Sequence, residues 1–321
     1  MNVRIAALVA GRSRHPPARL HGVNAAIARR RKPMPSSTSE SKLLPLDLAP
    51  DSPWTTPVQR LASALFSSAL AALGLLTALS RDFAYDWQPV SNALPYRAAT
   101  AVLCGLFMVV LAAALLIRRT EDLAAQLLLP FLLVWFALKV PAVIAVPNIE
   151  GVWLGLGEIG MLLGGGWVLF ARLACIDRAT FFGRLTGAPG LRIARILLGL
   201  AIIPVGLGHL CYADVTASLV PAWLPFRLGL AYLTGVAQIV CGLGLTFSIL
   251  PRVAAWAETT MLTLFAFLVW GPDSWFSPIP KLAGTPSGPR FPLTAFLITC
   301  LIAASSLLVA STLKSKRRAG I

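Results

Sequence analysis

The sequence predicts an all-α fold: a polytopic membrane protein of eight transmembrane helices, arranged as two tandem parallel four-helix units. Three observations carry that prediction. Apolar stretches of spanning length recur from about Leu61 to Thr312, basic residues collect in alternate loops, and a short motif repeats 130 positions apart. A bilayer's hydrocarbon core is about 30 Å thick and takes roughly 20 apolar residues to cross as helix. In lipid only a helix or a closed barrel satisfies its own backbone hydrogen bonds, and these runs are too long and continuous for barrel strands. A soluble chain carries about 25% charged residues. This one carries 13%, with 57% hydrophobic residues, a deficit that lipid-facing helices require.

Residues 1–52 precede the first span and differ from the rest. No acidic residue occurs before Glu40, Arg29-Arg30-Arg31-Lys32 form a basic run, and Pro, Ser and Thr cluster at 33–39. This composition predicts a disordered basic arm. Its apolar run, Ile5 to Ala10, is shorter than the roughly 7–15 residues of a signal-peptide core. An organellar transit peptide and a true start at Met34 rather than Met1 are both open.

The expected helices are 58–80, 97–117, 123–146, 152–174, 193–212, 228–250, 253–270 and 291–312. Pro130 and Pro141 interrupt the third and Pro204 the fifth, where they can kink a helix or open a cavity. Gly155, Gly157, Gly160 and Gly164-Gly165-Gly166 smooth the fourth, as Gly235, Gly242 and Gly244 smooth the sixth. Small residues let helices approach closely in lipid. The triple glycine is no phosphate loop, since no strand precedes it and no Lys follows.

Loops on one side hold the arm, Arg118-Arg119, the Arg172 to Arg192 group, Arg252 and the Lys/Arg tail at 314–321. Loops on the other side are balanced or nearly uncharged, with Arg81 and Arg97 set against Asp82 and Asp86. The positive-inside rule then puts both termini in the cytoplasm, and an even number of spans agrees. Trp153, Trp223, Trp270 and Trp275 fall near outer helix ends, at headgroup level. The net charge of +15 is thus a matter of orientation. No basic domain with interleaved aromatics points to nucleic acid, and the expected partner is the lipid bilayer, whose anionic headgroups the tail can touch. The expected location is a bacterial inner membrane.

Leu94-Pro95-Tyr96-Arg97 recurs as Leu224-Pro225-Phe226-Arg227, Leu123-Ala124-Ala125 aligns with Val253-Ala254-Ala255, and Gly105 aligns with Gly235. Four helices per unit give both units one orientation, a parallel duplication rather than an inverted one. The expected organisation is a first unit at 53–175, a linker at 176–191 and a second unit at 192–313.

The second unit runs from Arg195 through Gly206-Leu-Gly-His209 to Ser218-Leu-Val-Pro-Ala-Trp-Leu-Pro225. Tyr232-Leu-Thr-Gly-Val-Ala-Gln238-Ile and Gly242-Leu-Gly244 follow. Over residues 192–270 this resembles the DoxX-like family of four-helix membrane proteins. The first unit resembles it more weakly, through Asp86-Trp-Gln-Pro-Val90 and Leu94-Pro95. The resemblance implies a membrane component that in some members accompanies a quinone-linked oxidoreductase. Two departures stand out: the helix position often acidic in the family is Gln238, and the position aligned with His209 in the first unit is Leu79.

Ionisable groups inside spans cost about 2.5–3.5 kcal/mol each on insertion scales and therefore mark sites or partners. Lys139 and Glu158 lie at matching depths on either side of the turn near Ile149. They can form an intramembrane ion pair, or Lys139 can snorkel while Glu158 meets a backbone carbonyl. His209 can bond a neighbouring helix or a ligand oxygen. Gln238, near mid-membrane, can serve as interhelical glue or as a ligand contact. Glu258 is expected at the cytoplasmic interface, within reach of Arg252 or of lipid headgroups. Cys104, Cys175, Cys211, Cys241 and Cys300 show no C-x-x-C spacing and read as small apolar residues.

His209, Gln238, Glu158 and Lys139 are therefore the candidate ligand or proton-handling residues. No nucleophile, haem ligand pair, flavin or nucleotide motif is visible, so no catalytic or metal-binding residue is assigned and an independent enzyme is not expected. Three functions fit. The chain can be a non-catalytic part of a membrane redox complex that binds a quinone or another lipophilic partner, a transporter of small solutes or lipid, or a scaffold without ligand.

Overall fold

Thr56 opens the first helix with a capping box: its hydroxyl accepts from the Gln59 backbone N–H at 3.3 Å, and the Gln59 side chain accepts from the Thr56 N–H. Such a box satisfies two of the donors that a helix start leaves bare. In this computed structural model, which describes residues 56–84, 87–272 and 290–313, helices joined by short loops make up the fold. The helices are α1 (Pro57–Ser80), α2 (Arg97–Leu116), α3 (Glu121–Ala145), α4 (Glu150–Leu173), α5 (Gly187–Cys211), α6 (Ala213–Leu219), α7 (Arg227–Phe247), α8 (Pro251–Leu264) and α9 (Arg290–Thr312). A π-helical segment, Phe265–Trp270, continues α8. Eight of these elements, α6 being the exception and α8 counted with its π-helical end, are long and apolar enough to cross a membrane. The protein is thus a multi-span helical membrane protein. The basic arm, Asp86, Trp275 and the C-terminal tail lie outside the described residues.

Helix limits agree with the hydropathy pattern except around α5. That helix begins at Gly187, not near 193, so the expected linker ends sooner. Gly187 takes a left-handed φ of 61°, and Pro189 falls in the first turn, where its missing N–H costs nothing. The short α6 and the π-helical segment carry no periodicity that hydropathy alone would reveal.

Packing repeats in the two halves. In the first, α1 crosses α2 where Gly74 faces Gly105, so closely that a Cβ on Gly74 would lie 2.6 Å from the Gly105 carbonyl oxygen. In the second, α5 crosses α7 where Gly206 faces Gly235, and a Cβ on Gly206 would lie 2.7 Å from the Gly235 carbonyl oxygen. Both starts of the second helix in each half are built alike: Tyr96 precedes α2 with φ 54° and Phe226 precedes α7 with φ 53°.

The most enclosed spans are α4 and α9, which bury 78% and 72% of their apolar stretches. They touch where Gly165 packs on Ser305, with the position of a Gly165 Cβ only 2.7 Å from Ser305 Cα. Small residues bring the two central backbones together, as helix association in lipid requires. Away from this centre, α5 runs antiparallel to α4, with Gly157 against Pro204 and Gly164 against Leu198. Polar ties close both ends. Gln59 of α1 donates to the Ser311 carbonyl of α9 at 3.1 Å and accepts from Arg172 of α4. Asp82, after α1, pairs with Arg97 and with Arg290 at the start of α9.

Candidate functional site: an apolar cavity beside α7 and α8

The loop at 220–226 joins α6 to α7. Beneath it lies a cavity of about 620 Å³. Leu, Val, Phe and Trp side chains dominate its wall, drawn from α4 through α9 and, at Trp87, from the segment between α1 and α2. Mostly apolar concavities with a few convergent polar groups are the usual form of a small-molecule site.

Three of the four candidate residues, His209, Gln238 and Glu158, line this cavity. They come from α5, α7 and α4, so no local motif could have joined them. Lys139 is not on the lining. It reaches α4 from α3 and rests on Gly155, where a Cβ would sit 2.8 Å from its ammonium nitrogen. Glu158 follows Gly155 by one turn on the same face of α4.

His209 is held in place. Its Nδ1 lies 3.0 Å from the Thr234 hydroxyl, and its ring packs on Phe265 with centroids 5.4 Å apart. Phe265 is the first residue of the π-helical segment, a feature that recurs at functional sites because it displaces side chains from the α-helical register. Trp270 and Phe291 meet edge to face at 5.9 Å and Phe291 stacks with Trp87 at 6.5 Å, so one wall of the cavity is aromatic.

Gln238 is fully buried, and its amide nitrogen donates to Glu258 Oε1 at 3.4 Å. This corrects the expectation for Glu258. The carboxyl is not interfacial: it has no exposed surface, because α8 starts at Pro251 and carries Glu258 two turns into the bundle on the face toward α7. The repeat held the signal. At an offset of 130, Gln238 corresponds to Met108 and Glu258 to Leu128, and both of those are core residues. Gln238 Oε1, Glu258 Oε2 and the Trp87 indole N–H have no hydrogen-bond partner among the described residues. Buried polar atoms are nearly always satisfied in native proteins, so each orphan asks for a missing partner.

A second apolar groove, of about 550 Å³, lies between α4 and α5 near Pro147 and Pro204, with Glu150 its charged lining residue. It lacks the convergence of polar groups seen at His209. The five cysteines are free thiols. Among the described residues no cluster of three His, Cys, Asp or Glu side chains could hold a metal ion.

Residues 198–276 match a family described as a domain of unknown function (DUF8561). The matched stretch supplies His209, Thr234, Gln238, Glu258 and the π-helical segment. No curated protein and no solved structure matches the chain.

Proposed function

We propose that this protein is a DoxX-like membrane component that holds a lipophilic partner, such as a quinone, in the cavity beside α7 and α8 and does no chemistry of its own. The observation that carries the reading is the cavity itself: about 620 Å³, mostly apolar, with His209 and Gln238 on its wall. A cavity of that size suits a ring-sized molecule. The family motif of the second unit supports the same reading, since the Ser218–Pro225 loop and the Tyr232 helix are the segments that enclose the space. A scaffold without ligand would have no need of it.

In this reading the units are 53–175 and 192–313, and both termini face the cytoplasm of a bacterial inner membrane. Lys139 and Glu158 form an intramembrane pair that sets the α3–α4 contact. The seat of Lys139 on Gly155, one turn from Glu158, supports that pairing.

The test is mass spectrometry of small molecules retained by the protein after purification in mild detergent. The expected result is a lipophilic molecule at near-stoichiometric amount in wild type and its depletion in His209→Ala. No bound lipophile, or a profile unchanged by the substitution, would return the protein to the scaffold reading.

A further inference from the structure

Gln238 and Glu258 form a polar pair in the second half at positions that are Met108 and Leu128 in the first. The first half packs well with apolar residues there, so the fold does not need a polar pair at that level. Gln238 also lines the cavity. A fully buried amide facing a cavity, with one of its functions open, is a ligand contact rather than glue.

The open functions can be read group by group. One of the two Gln238 amide N–H groups donates to Glu258 Oε1, and the amide's own Oε1 is an acceptor without a partner among the described residues. The Thr234 hydroxyl lies 2.9 Å from the Leu230 carbonyl and 3.1 Å from that of Ala231. Its single proton is committed to the backbone, so its oxygen accepts from His209, and Nδ1 carries the ring hydrogen. In the neutral imidazole Nε2 then keeps its lone pair. His209 Nε2 and Gln238 Oε1 thus offer two open acceptors on the polar face. Trp87, buried and lining the same cavity, offers an indole N–H without a partner.

A ketone could accept from the Trp87 N–H but would leave both acceptors unpaired, because a carbonyl only accepts. A hydroxyl answers both parts: it donates to an acceptor and accepts from a donor. The aromatic wall of Trp87, Phe291, Trp270 and Phe265 suits a flat ring. We infer that the cavity selects a lipophilic phenol, the ring-hydroxyl class that includes hydroquinones, with Gln238 Oε1 as the main hydroxyl acceptor. The inference rests on the cavity reading above and specifies its ligand chemistry. A site built to hydrogen-bond a hydroxyl rejects analogues that lack it, because its polar groups are then left buried and unpaired.

The experiment compares two probes that differ in the one hydrogen at issue, 4-nonylphenol and its methyl ether 4-nonylanisole. Each is equilibrated with protein-loaded and empty nanodiscs, and the excess retained by the protein is quantified by chromatography. The expected result is at least a tenfold preference for the phenol, reduced to under threefold in Gln238→Met while anisole retention stays as in wild type. The wild-type comparison needs no variant, so misfolding of Gln238→Met would leave the inference testable. Equal retention of both probes by wild type would overturn the phenol assignment and leave the cavity reading standing. Retention of neither would overturn both.

Discussion

Tyr96 and Phe226, 130 positions apart, share a left-handed backbone, with φ 54° and 53°, and the same 87% exposure. A left-handed φ is costly for bulky L-residues, and each sits just before a helix that crosses its neighbour through glycine. Two unrelated loops would not store the same strain at the same step. Because the side chains pack on almost nothing, the backbone alone decides what substitution does. Tyr96→Val and Phe226→Val should each destabilise by about 1 kcal/mol, since β-branching worsens the clash, and by similar amounts. Thermal unfolding in detergent measures both, and a large inequality would show that the two turns are not equivalent.

The glycine crossings give a second test. Gly206→Ala should cost about 1–3 kcal/mol, because its Cβ would press on the Gly235 carbonyl oxygen and backbone cannot rotate away as a side chain can. Gly74→Ala should cost a like amount against Gly105. Gly229→Ala is the internal control. Its Cβ would meet only the Phe226 Cβ at 3.8 Å, so the helix propensity gain of about 1 kcal/mol should show instead. Unfolding midpoints of the three variants decide the matter, and a destabilised Gly229→Ala would undermine the argument.

Much of this architecture was legible in the sequence, and the reason is physical. A span must be apolar over a fixed length, so the limits of α1, α2 and α9 are set by hydropathy to within a residue or two. The Leu-Pro-aromatic-Arg repeat marks the two helix starts that share a left-handed residue, Tyr96 and Phe226. The burial of Glu258 is not legible in its distance from the helix end, because that distance says nothing about which way its helix face points. That direction depends on where Pro251 starts α8. The meeting of His209, Gln238 and Glu158 at one cavity depends on how three helices pack, which no spacing along the chain encodes. The π-helical turn that brings Phe265 onto His209 is likewise a tertiary outcome.

Arg195 shows how a charge can serve the fold. Its buried guanidinium donates to the Leu245 carbonyl at 2.7 Å and to the Ser248 hydroxyl, at the C-terminal end of α7, where unpaired carbonyls favour cations. Arg195→Met should destabilise by about 2–3 kcal/mol, the cost of leaving such a carbonyl without a charged donor. Arg195→Lys should recover part of that. Ser248, at φ 62°, reports on the same end: Ser248→Gly should relieve backbone strain but lose a guanidinium contact, for a net change under about 1 kcal/mol. Protease sensitivity of the α7–α8 turn is the readout, and an Arg195→Met protein as resistant as wild type would refute the role.

The tie between Asp82 and two arginines predicts a pH dependence whose sign can be worked out. Burial alone would raise the Asp82 pKa. The hydrogen bond and charge of Arg97, the Phe83 backbone N–H and the charge of Arg290 outweigh it, and the pKa falls below the usual 3.8. A carboxylate with a lowered folded-state pKa adds stability above its unfolded pKa and loses it as pH drops through the folded value. Wild type should therefore lose part of its stability below about pH 4, and Asp82→Asn should show that loss already at pH 7. The side chain is 41% exposed, so solvent limits the effect to no more than about 1 kcal/mol. Unfolding midpoints measured from pH 7 to pH 3 should converge for the two proteins at the acid end. A wild type that was less stable than Asp82→Asn at pH 7 and gained on it as the pH fell would mean that Asp82 is protonated in the fold and that Arg290 is held at the start of α9 by its other contacts, the carbonyls of Asp82 and Phe83.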